Sequence, residues 1–138
     1  MNAVDSPTAL VPDRFVIGPD GPWLLASRCE RCGAYAFPRR RVCPRCKARS
    51  TVPVKLGRRG RLYSFTLCHV APAGWSAPYL QAYVELPEGL RVFSLVSGAV
   101  DPSSDALSVG MEMELVIEPV QPGNPIVTFK YRPVSSSA

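Results

Sequence analysis

From residue 52 onward, apolar residues recur at every second position, the period of a half-buried β-strand. Leu62-Tyr63-Ser64-Phe65-Thr66-Leu67-Cys68-His69-Val70 is rich in strand-forming residues and places Tyr63, Phe65 and Leu67 on one side. Leu80, Ala82, Val84 and Leu86 alternate in the same way. Pro87-Glu88-Gly89 then supplies a tight turn into Leu90–Val96, which reads as a hairpin. Gly110 opens Met111–Glu118, where Met111, Met113, Leu115 and Ile117 face inward against outward glutamates. A last strand runs from Ile126 to Tyr131 after the turn Gln121-Pro122-Gly123-Asn124-Pro125. Five short strands around a central hairpin predict a small closed or nearly closed barrel. Gly57 and Gly60 suit a first strand that bends sharply enough to serve both sides of it. No segment reads as a long helix. Residues 101–109 have room for one short turn capped by a serine or aspartate.

Composition agrees with this all-β reading. Fifteen prolines and ten glycines in 138 residues limit helix length. A hydrophobic fraction of 46% excludes a disordered chain, and no apolar run approaches the ~18 residues of a membrane span. The first 22 residues are interrupted by Pro7, Pro12, Pro19 and Pro22, with Asp5 and Asp13 where a secretory signal would be basic. The expectation is a cytoplasmic protein built from an extended arm (1–22), a small ribbon (23–51), a barrel (52–132) and a disordered tail (133–138).

Charge sharpens the division. Residues 28–61 carry twelve cations against Glu30 alone, net +11, while residues 62–138 are net −4 and residues 1–27 net −2. A strongly basic segment beside a mildly acidic one points to a polyanionic ligand or partner. Its concentrations are Arg39-Arg40-Arg41 and Arg58-Arg59.

The basic segment also holds the clearest chemistry. Cys29-Glu30-Arg31-Cys32 and Cys43-Pro44-Arg45-Cys46 are two pairs of thiols ten residues apart. Two residues between thiolates let one turn present both sulfurs to the same ion. Gly33 supplies permissive backbone after the first pair, and Pro44 pre-sets a turn inside the second. Two such knuckles complete a closed tetrahedral site suited to structural Zn²⁺. The same sulfurs would also take iron. Duplication at ribbon spacing argues against a redox dithiol. The spacer allows a strand at Ala34–Phe37, a turn at Pro38 and a return strand from Arg39 to Val42. Bound zinc lowers the segment's charge to about +9, because four thiolates outweigh one divalent ion by two.

These motifs, in this order, resemble a known family of bacterial and archaeal proteins. In that family a rubredoxin-like zinc ribbon is joined to an OB-fold, long filed as a domain of unknown function. The resemblance is carried by Cys29-x-x-Cys32-Gly33, Phe37-Pro38, Cys43-Pro44-x-Cys46, Gly60-x-Leu62-Tyr63-Ser64-Phe65-Thr66, Ala77-Pro78-Tyr79, Val84-Glu85-Leu86, Glu88-Gly89 and Val109-Gly110-Met111. It implies a small non-catalytic subunit, in a hetero-oligomer with a thiolase-like enzyme or a hotdog-fold enoyl-CoA hydratase. It further implies that the OB-fold helps hold coenzyme A or acyl-CoA near the partner's active site. The chain departs from the family at Gly18-Pro19-Asp20-Gly21-Pro22, which breaks the helix that relatives often carry before the ribbon.

Resemblance and charge meet on the phosphates of CoA, for which Arg39, Arg40, Arg58 and Arg59 are the candidate ligands. Arg41 belongs to the same concentration. Trp75 and Tyr79, at the end of the apolar loop Ala71–Tyr79, are candidate contacts for the pantetheine arm or the partner. Trp23, Leu24 and Leu25 read as ribbon packing. His69 stands beside Cys68, but strand neighbours point to opposite faces, so the two make no nucleophile–base pair. With no acid–base pair elsewhere, no residue is assigned a catalytic role. Nucleic acid is the rival ligand for the basic segment. Against it stand the acidic barrel and the lack, on its strands, of an evident exposed row of stacking aromatics with cations.

Overall fold

The alternation of the second half is realised as five strands that close on themselves. The computed structural model describes residues 8–134 except Ser104, and all regular structure among them is β. The strands are β1 (Thr8–Ala9), β2 (Phe15–Gly18), β3 (Gly21–Cys29), β4 (Tyr35–Ala36), β5 (Thr51–Lys55), β6 (Arg59–Cys68), β7 (Tyr79–Glu85), β8 (Arg91–Val96), β9 (Glu112–Pro119) and β10 (Ile126–Pro133). One sheet runs β1-β10-β8-β7-β6-β9, and an added β10–β9 pairing closes β6, β7, β8, β10 and β9 into a barrel. No helix is long and apolar enough to cross a membrane.

Barrel closure depends on β6 serving two neighbours. Arg59–Arg61 pair with β9, while Arg61–Cys68 pair with β7. The strands cross so closely at Gly60 that a Cβ there would lie 2.5 Å from the Glu85 carbonyl oxygen and 2.8 Å from Leu86 and Val84 side-chain carbons. Only glycine fits that approach.

A bulge follows. Leu62 pairs with Val84, but Ser64 pairs with Tyr83, so Tyr63 is the extra residue. This corrects the expectation that Tyr63, Phe65 and Leu67 share a side. Phe65 and Leu67 pair with the buried Ala82 and Leu80, on the other side of β6 from Tyr63, although Phe65 stays 41% exposed at the strand's outer end. The β7–β8 turn at Pro87–Gly89 forms as expected, with Gly89 at φ 93° and the Leu86 amide donating to the Leu90 carbonyl at 2.8 Å. No helical turn forms in the described part of 101–109. Asp101 Oδ1 instead accepts from the Ser103 amide and hydroxyl at 2.9 and 2.8 Å, an Asx turn that competes with helix.

The ribbon is built on β3. It pairs with β2, β4 and β5, and the β2–β3 hairpin turns through Gly18-Pro19-Asp20-Gly21, with Gly21 at φ 120°. Residues 8–22 are therefore no separate arm, because β1 joins the barrel sheet and β2 the ribbon sheet. Residues 1–7 lie outside the described residues. The expected return strand from Arg39 to Val42 is absent, and β4 pairs with Ser27 and Arg28 of β3 instead. Pro38 offers no amide to a ladder, and the carbonyls of Arg40 and Arg41 are taken by the Thr51 hydroxyl at 2.7 and 3.2 Å. At the other end, Pro133 belongs to β10 and the Val134 amide donates to the Glu112 carbonyl at 3.0 Å, so the expected tail is ordered that far. Residues 135–138 lie outside the described residues.

Ribbon and barrel share one core. Leu24, Ala26 and Leu56 from the ribbon side are fully buried in the cluster formed by Leu62, Val84, Val92, Met113 and Tyr131. Leu24, expected to pack the ribbon, packs the barrel as well. The hydrophobic effect that closes the barrel also fixes the ribbon to it.

Candidate metal centre and arginine loop

Cys29 ends β3, and the chain turns at once. Its amide donates to the Ala34 carbonyl and its carbonyl accepts from the Gly33 amide, both at 2.8 Å. The second knuckle repeats the pattern: the Cys43 amide reaches the Ala48 carbonyl at 2.8 Å, and the Lys47 amide reaches the Cys43 carbonyl at 2.9 Å. Gly33 (φ 80°) and Lys47 (φ 66°) occupy equivalent left-handed positions, each directly after a Cys-x-x-Cys pair. A lysine there is strained by about 1 kcal/mol or more. Lys47 Nζ donates to the Pro44 carbonyl at 3.0 Å and so closes the knuckle.

Four sulfurs converge. All lie within 4.8 Å of one another, with Cys29 Sγ 3.6 Å from Cys46 Sγ and Cys32 Sγ 3.5 Å from Cys43 Sγ. A tetrahedral zinc with bonds of ~2.3 Å spaces its sulfurs by roughly 3.8 Å, so the four residues fit the ion. Cys29 and Cys43 are buried, Cys32 and Cys46 half-buried. Amides of Cys46 and Arg45 donate to Cys43 Sγ at 3.4 and 3.3 Å, and the Cys32 amide donates to Cys29 Sγ at 3.5 Å. These bonds favour thiolate. The Cys46 amide is the main cause that brings the Cys43 thiol down to about 6, and the Cys32 amide lowers Cys29. At Cys32 the Ala34 amide acts in the same sense, but burial and the neighbouring thiols outweigh it and raise that group to about 11. Zinc bound here has no open position, so it supplies folding energy and rigidity.

The two arginine groups do not meet. Arg39, Arg40 and Arg41 are exposed on a loop beside β5, where the Arg40 amide donates to Ser27 Oγ at 3.0 Å. With Ser27, Thr51, Val52 and Pro53 they line a cavity of about 320 Å³. Among the described residues no carboxylate pairs with any of the three. Arg58 and Arg59 line a different cleft of about 600 Å³, together with Asp20, Glu114 and Arg132. There they are already neutralised. Arg58 Nη2 lies 3.2 Å from Asp20 Oδ2, and Arg59 reaches Glu112 at 3.6 Å and Glu114 at 3.8 Å. Asp20 is held below its usual range first by the Trp23 indole N–H and also by the Arg58 charge.

Trp75 and Tyr79 pack edge to face with centroids 5.5 Å apart, both half-buried. The Ser76 amide donates to Gln121 Oε1 at 2.9 Å and ties their loop to the β9–β10 turn. Pro72, Ala73, Ala77 and Pro78 stay exposed. His69 is exposed and forms no pair with Cys68, which instead neighbours the Tyr79 hydroxyl. One feature escaped the sequence reading. Tyr63, Tyr83 and Phe93 stand exposed together on the outer face of β6, β7 and β8, with Arg91, itself paired with Glu85, beside them. The signal lay in alternation from the buried Leu62, which already turns Tyr63 outward toward Tyr83, while the bulge changes the face only from Ser64 onward.

Comparison with known proteins follows the same division of the chain. Residues 23–52 match the family described as "ChsH2, rubredoxin-like zinc ribbon domain", and residues 53–118 match "ChsH2, C-terminal OB-fold domain". The chain is similar to "Benzoylsuccinyl-CoA thiolase subunit BbsA" of Geobacter metallireducens, at 35% identity covering 90% of this chain and 85% of that protein. It is similar to a "DUF35 domain-containing scaffold protein" of Methanocaldococcus jannaschii, at 32% identity covering 79% of each. The solved structure "Ltp2-ChsH2(DUF35) aldolase" superposes with a TM-score of 0.65 and 28% identity, covering 80% of this chain and 84% of that one. The chain belongs to this family, in which a rubredoxin-like zinc ribbon precedes an OB-fold.

Proposed function

We propose that the chain is a non-catalytic subunit of an acyl-CoA-processing complex of thiolase type, working in the cytoplasm. The observation that carries this reading is similarity over 85% of the length of a thiolase subunit. The chemistry of the described residues is in keeping with a non-catalytic part: the four-cysteine site offers a metal no open position, and His69 is exposed at the strand end beside Cys68.

Its contribution to substrate binding falls to the arginine loop. CoA carries a 3′-phosphate and a pyrophosphate, and Arg39, Arg40 and Arg41 offer planar donors around a cavity with no competing carboxylate. Arg58, paired with Asp20, holds the ribbon to the barrel instead, and Arg59, between Glu112 and Glu114, ties β6 to β9 within the barrel. Trp75 and Tyr79 keep the apolar loop in shape, and its exposed prolines and alanines are what it offers to a pantetheine arm or the partner.

Calorimetric titration of the purified complex with CoA tests the assignment. The double substitution Arg40→Ala/Arg41→Ala is expected to weaken CoA about tenfold or more, which corresponds to ~1.4 kcal/mol, with zinc content unchanged. Equal affinity in the variant complex overturns the assignment.

A further inference from the structure

The exposed aromatic face of the barrel has no part in the function proposed above. Tyr63, Tyr83 and Phe93 expose 45%, 44% and 49% of their surface. The bulge turns Tyr63 and Ser64 outward together, Ser64 is opposite Tyr83, and Tyr83 is opposite Phe93. The Tyr83 and Phe93 rings are 5.4 Å apart and tilted by 58°. Arg91 lies 3.9 Å over the Tyr63 ring, and its Nε is 3.3 Å from Glu85 Oε2. Three strands thus contribute to one connected patch, with a shallow hollow of about 210 Å³ lined by residues that include Ser64, Gln81, Tyr83 and Phe93.

Outward strand positions are ordinarily polar, so three adjacent aromatics here mark an interaction site. Their composition, Tyr, Phe and Arg, is that of the energetic centre of a protein interface. Single-stranded nucleic acid fits the patch less well. It needs free ring faces in succession and cations for its phosphates. Arg91 already covers the Tyr63 face, and Tyr83 and Phe93 tilt against each other. Arg91 of β8 is paired with Glu85, Arg61 of β6 donates to the Gly110 carbonyl at 3.0 Å, and residues 62–138 are net −4. The patch is electrically neutral and apolar, which complements a neutral apolar surface on a folded protein.

We infer that the outer face of β6–β7–β8, centred on Tyr83 and Phe93, is where this chain docks on its catalytic subunit. This rests on the function proposed above, since it names the surface through which that partner is held. The expected contact is a flat apolar surface of the thiolase-type polypeptide, with the Arg91–Glu85 pair at its rim. The apolar loop Ala71–Tyr79 is not the main anchor, because Trp75 and Tyr79 spend their ring surface on each other.

The test places the photocrosslinking residue p-benzoylphenylalanine at Phe93, at Ala73 of the loop and at Arg49 of the ribbon, in the full-length tagged protein within its host. Adducts are identified by mass spectrometry. The expected result is a covalent adduct with a thiolase-type polypeptide from position 93 and none from position 49. In parallel, Tyr83→Ser/Phe93→Ser is expected to lose at least about 90% of the co-purifying thiolase-type polypeptide, with zinc content and thermal midpoint retained. Adducts from position 73 alone, or from 93 only to a second copy of this chain or to nucleic acid, overturn the docking surface. So does a Tyr83→Ser/Phe93→Ser variant that retains the partner. In each case a thiolase-type polypeptide that still co-purifies leaves the proposed function standing. Absence of any such polypeptide from the unsubstituted protein overturns both.

Discussion

The Arg58 guanidinium lies 4.1 Å over the Trp23 ring, and this stack joins the ribbon strand β3 to the residue just ahead of the first barrel strand. Asp20 completes the joint from the β2–β3 turn, and Lys55 Nζ approaches the same ring at 5.7 Å. A partly desolvated cation–π contact contributes ~1–2 kcal/mol. Trp23→Leu keeps an apolar side chain but removes the stack. It is expected to lower the midpoint of thermal unfolding of the zinc-loaded protein by several degrees, and Arg58→Lys by less. Differential scanning calorimetry reads both, and an unchanged midpoint in Trp23→Leu contradicts the assigned role.

Metal stability follows from the thiol set. One equivalent of zinc per chain is expected by elemental analysis, and Cys43→Ser is expected to lose it. The Cys43 thiol sits near 6, below its ordinary value, because of the Cys46 and Arg45 amides. A lowered pKa gives stability that is present at high pH and lost as pH falls through the folded value. Because protons and zinc compete for the same sulfurs, zinc release measured with a chromogenic chelator is expected to rise as pH falls. Release that is flat between pH 7 and 5 would count against it.

Two glycines separate steric need from mere placement. A Cβ at Gly60 meets the Glu85 carbonyl oxygen at 2.5 Å, whereas at Gly57 the nearest atom is Glu88 Oε2 at 3.6 Å. Gly60→Ala forces backbone apart at the barrel's crossing and is expected to cost roughly 2–4 kcal/mol. Gly57→Ala should cost under ~1 kcal/mol. Urea denaturation of the two variants side by side checks the contrast, and equal midpoints would refute the crowding argument.

Tyr131 is fully buried, and its hydroxyl has no hydrogen-bond partner among the described residues. Burial, reinforced by the Glu88 charge, raises its pKa. A raised acid contributes stability that is intact below the unfolded value near 10 and declines as pH climbs above it. Tyr131→Phe should leave stability at pH 7 within about 1 kcal/mol of the parent, since no bond is lost, and should blunt the alkaline decline. Parallel thermal scans from pH 8 to 11 measure this, and an identical alkaline decline in both proteins excludes Tyr131 as its source.

Local signals told the truth about most of the architecture. Period-2 alternation located β6 to β10 because each barrel strand buries one face, and the Cys-x-x-Cys spacing located the metal centre because a knuckle is a short-range structure. What escaped were features set by contacts distant in sequence. The bulge at Tyr63 depends on how β6 crosses β7, and no alternation count within β6 reveals it. Lys47 in the left-handed position of the second knuckle breaks the glycine rule that made Gly33 readable. The absence of a return strand from Arg39 to Val42 follows from Thr51 capturing two carbonyls from ten and eleven residues away. Charge alone grouped Arg39–Arg41 with Arg58–Arg59, and only the fold separates an unpaired loop from a neutralised joint.

Native mass spectrometry of the affinity-tagged full-length protein, purified from its host and washed at high salt, tests the central claim most directly. The expected particle contains this chain with one zinc per copy and a thiolase-type polypeptide in fixed ratio. Salt leaves it intact, because an apolar interface is screened little. A bare chain, or a chain holding only nucleic acid that the salt wash strips away, would contradict the account.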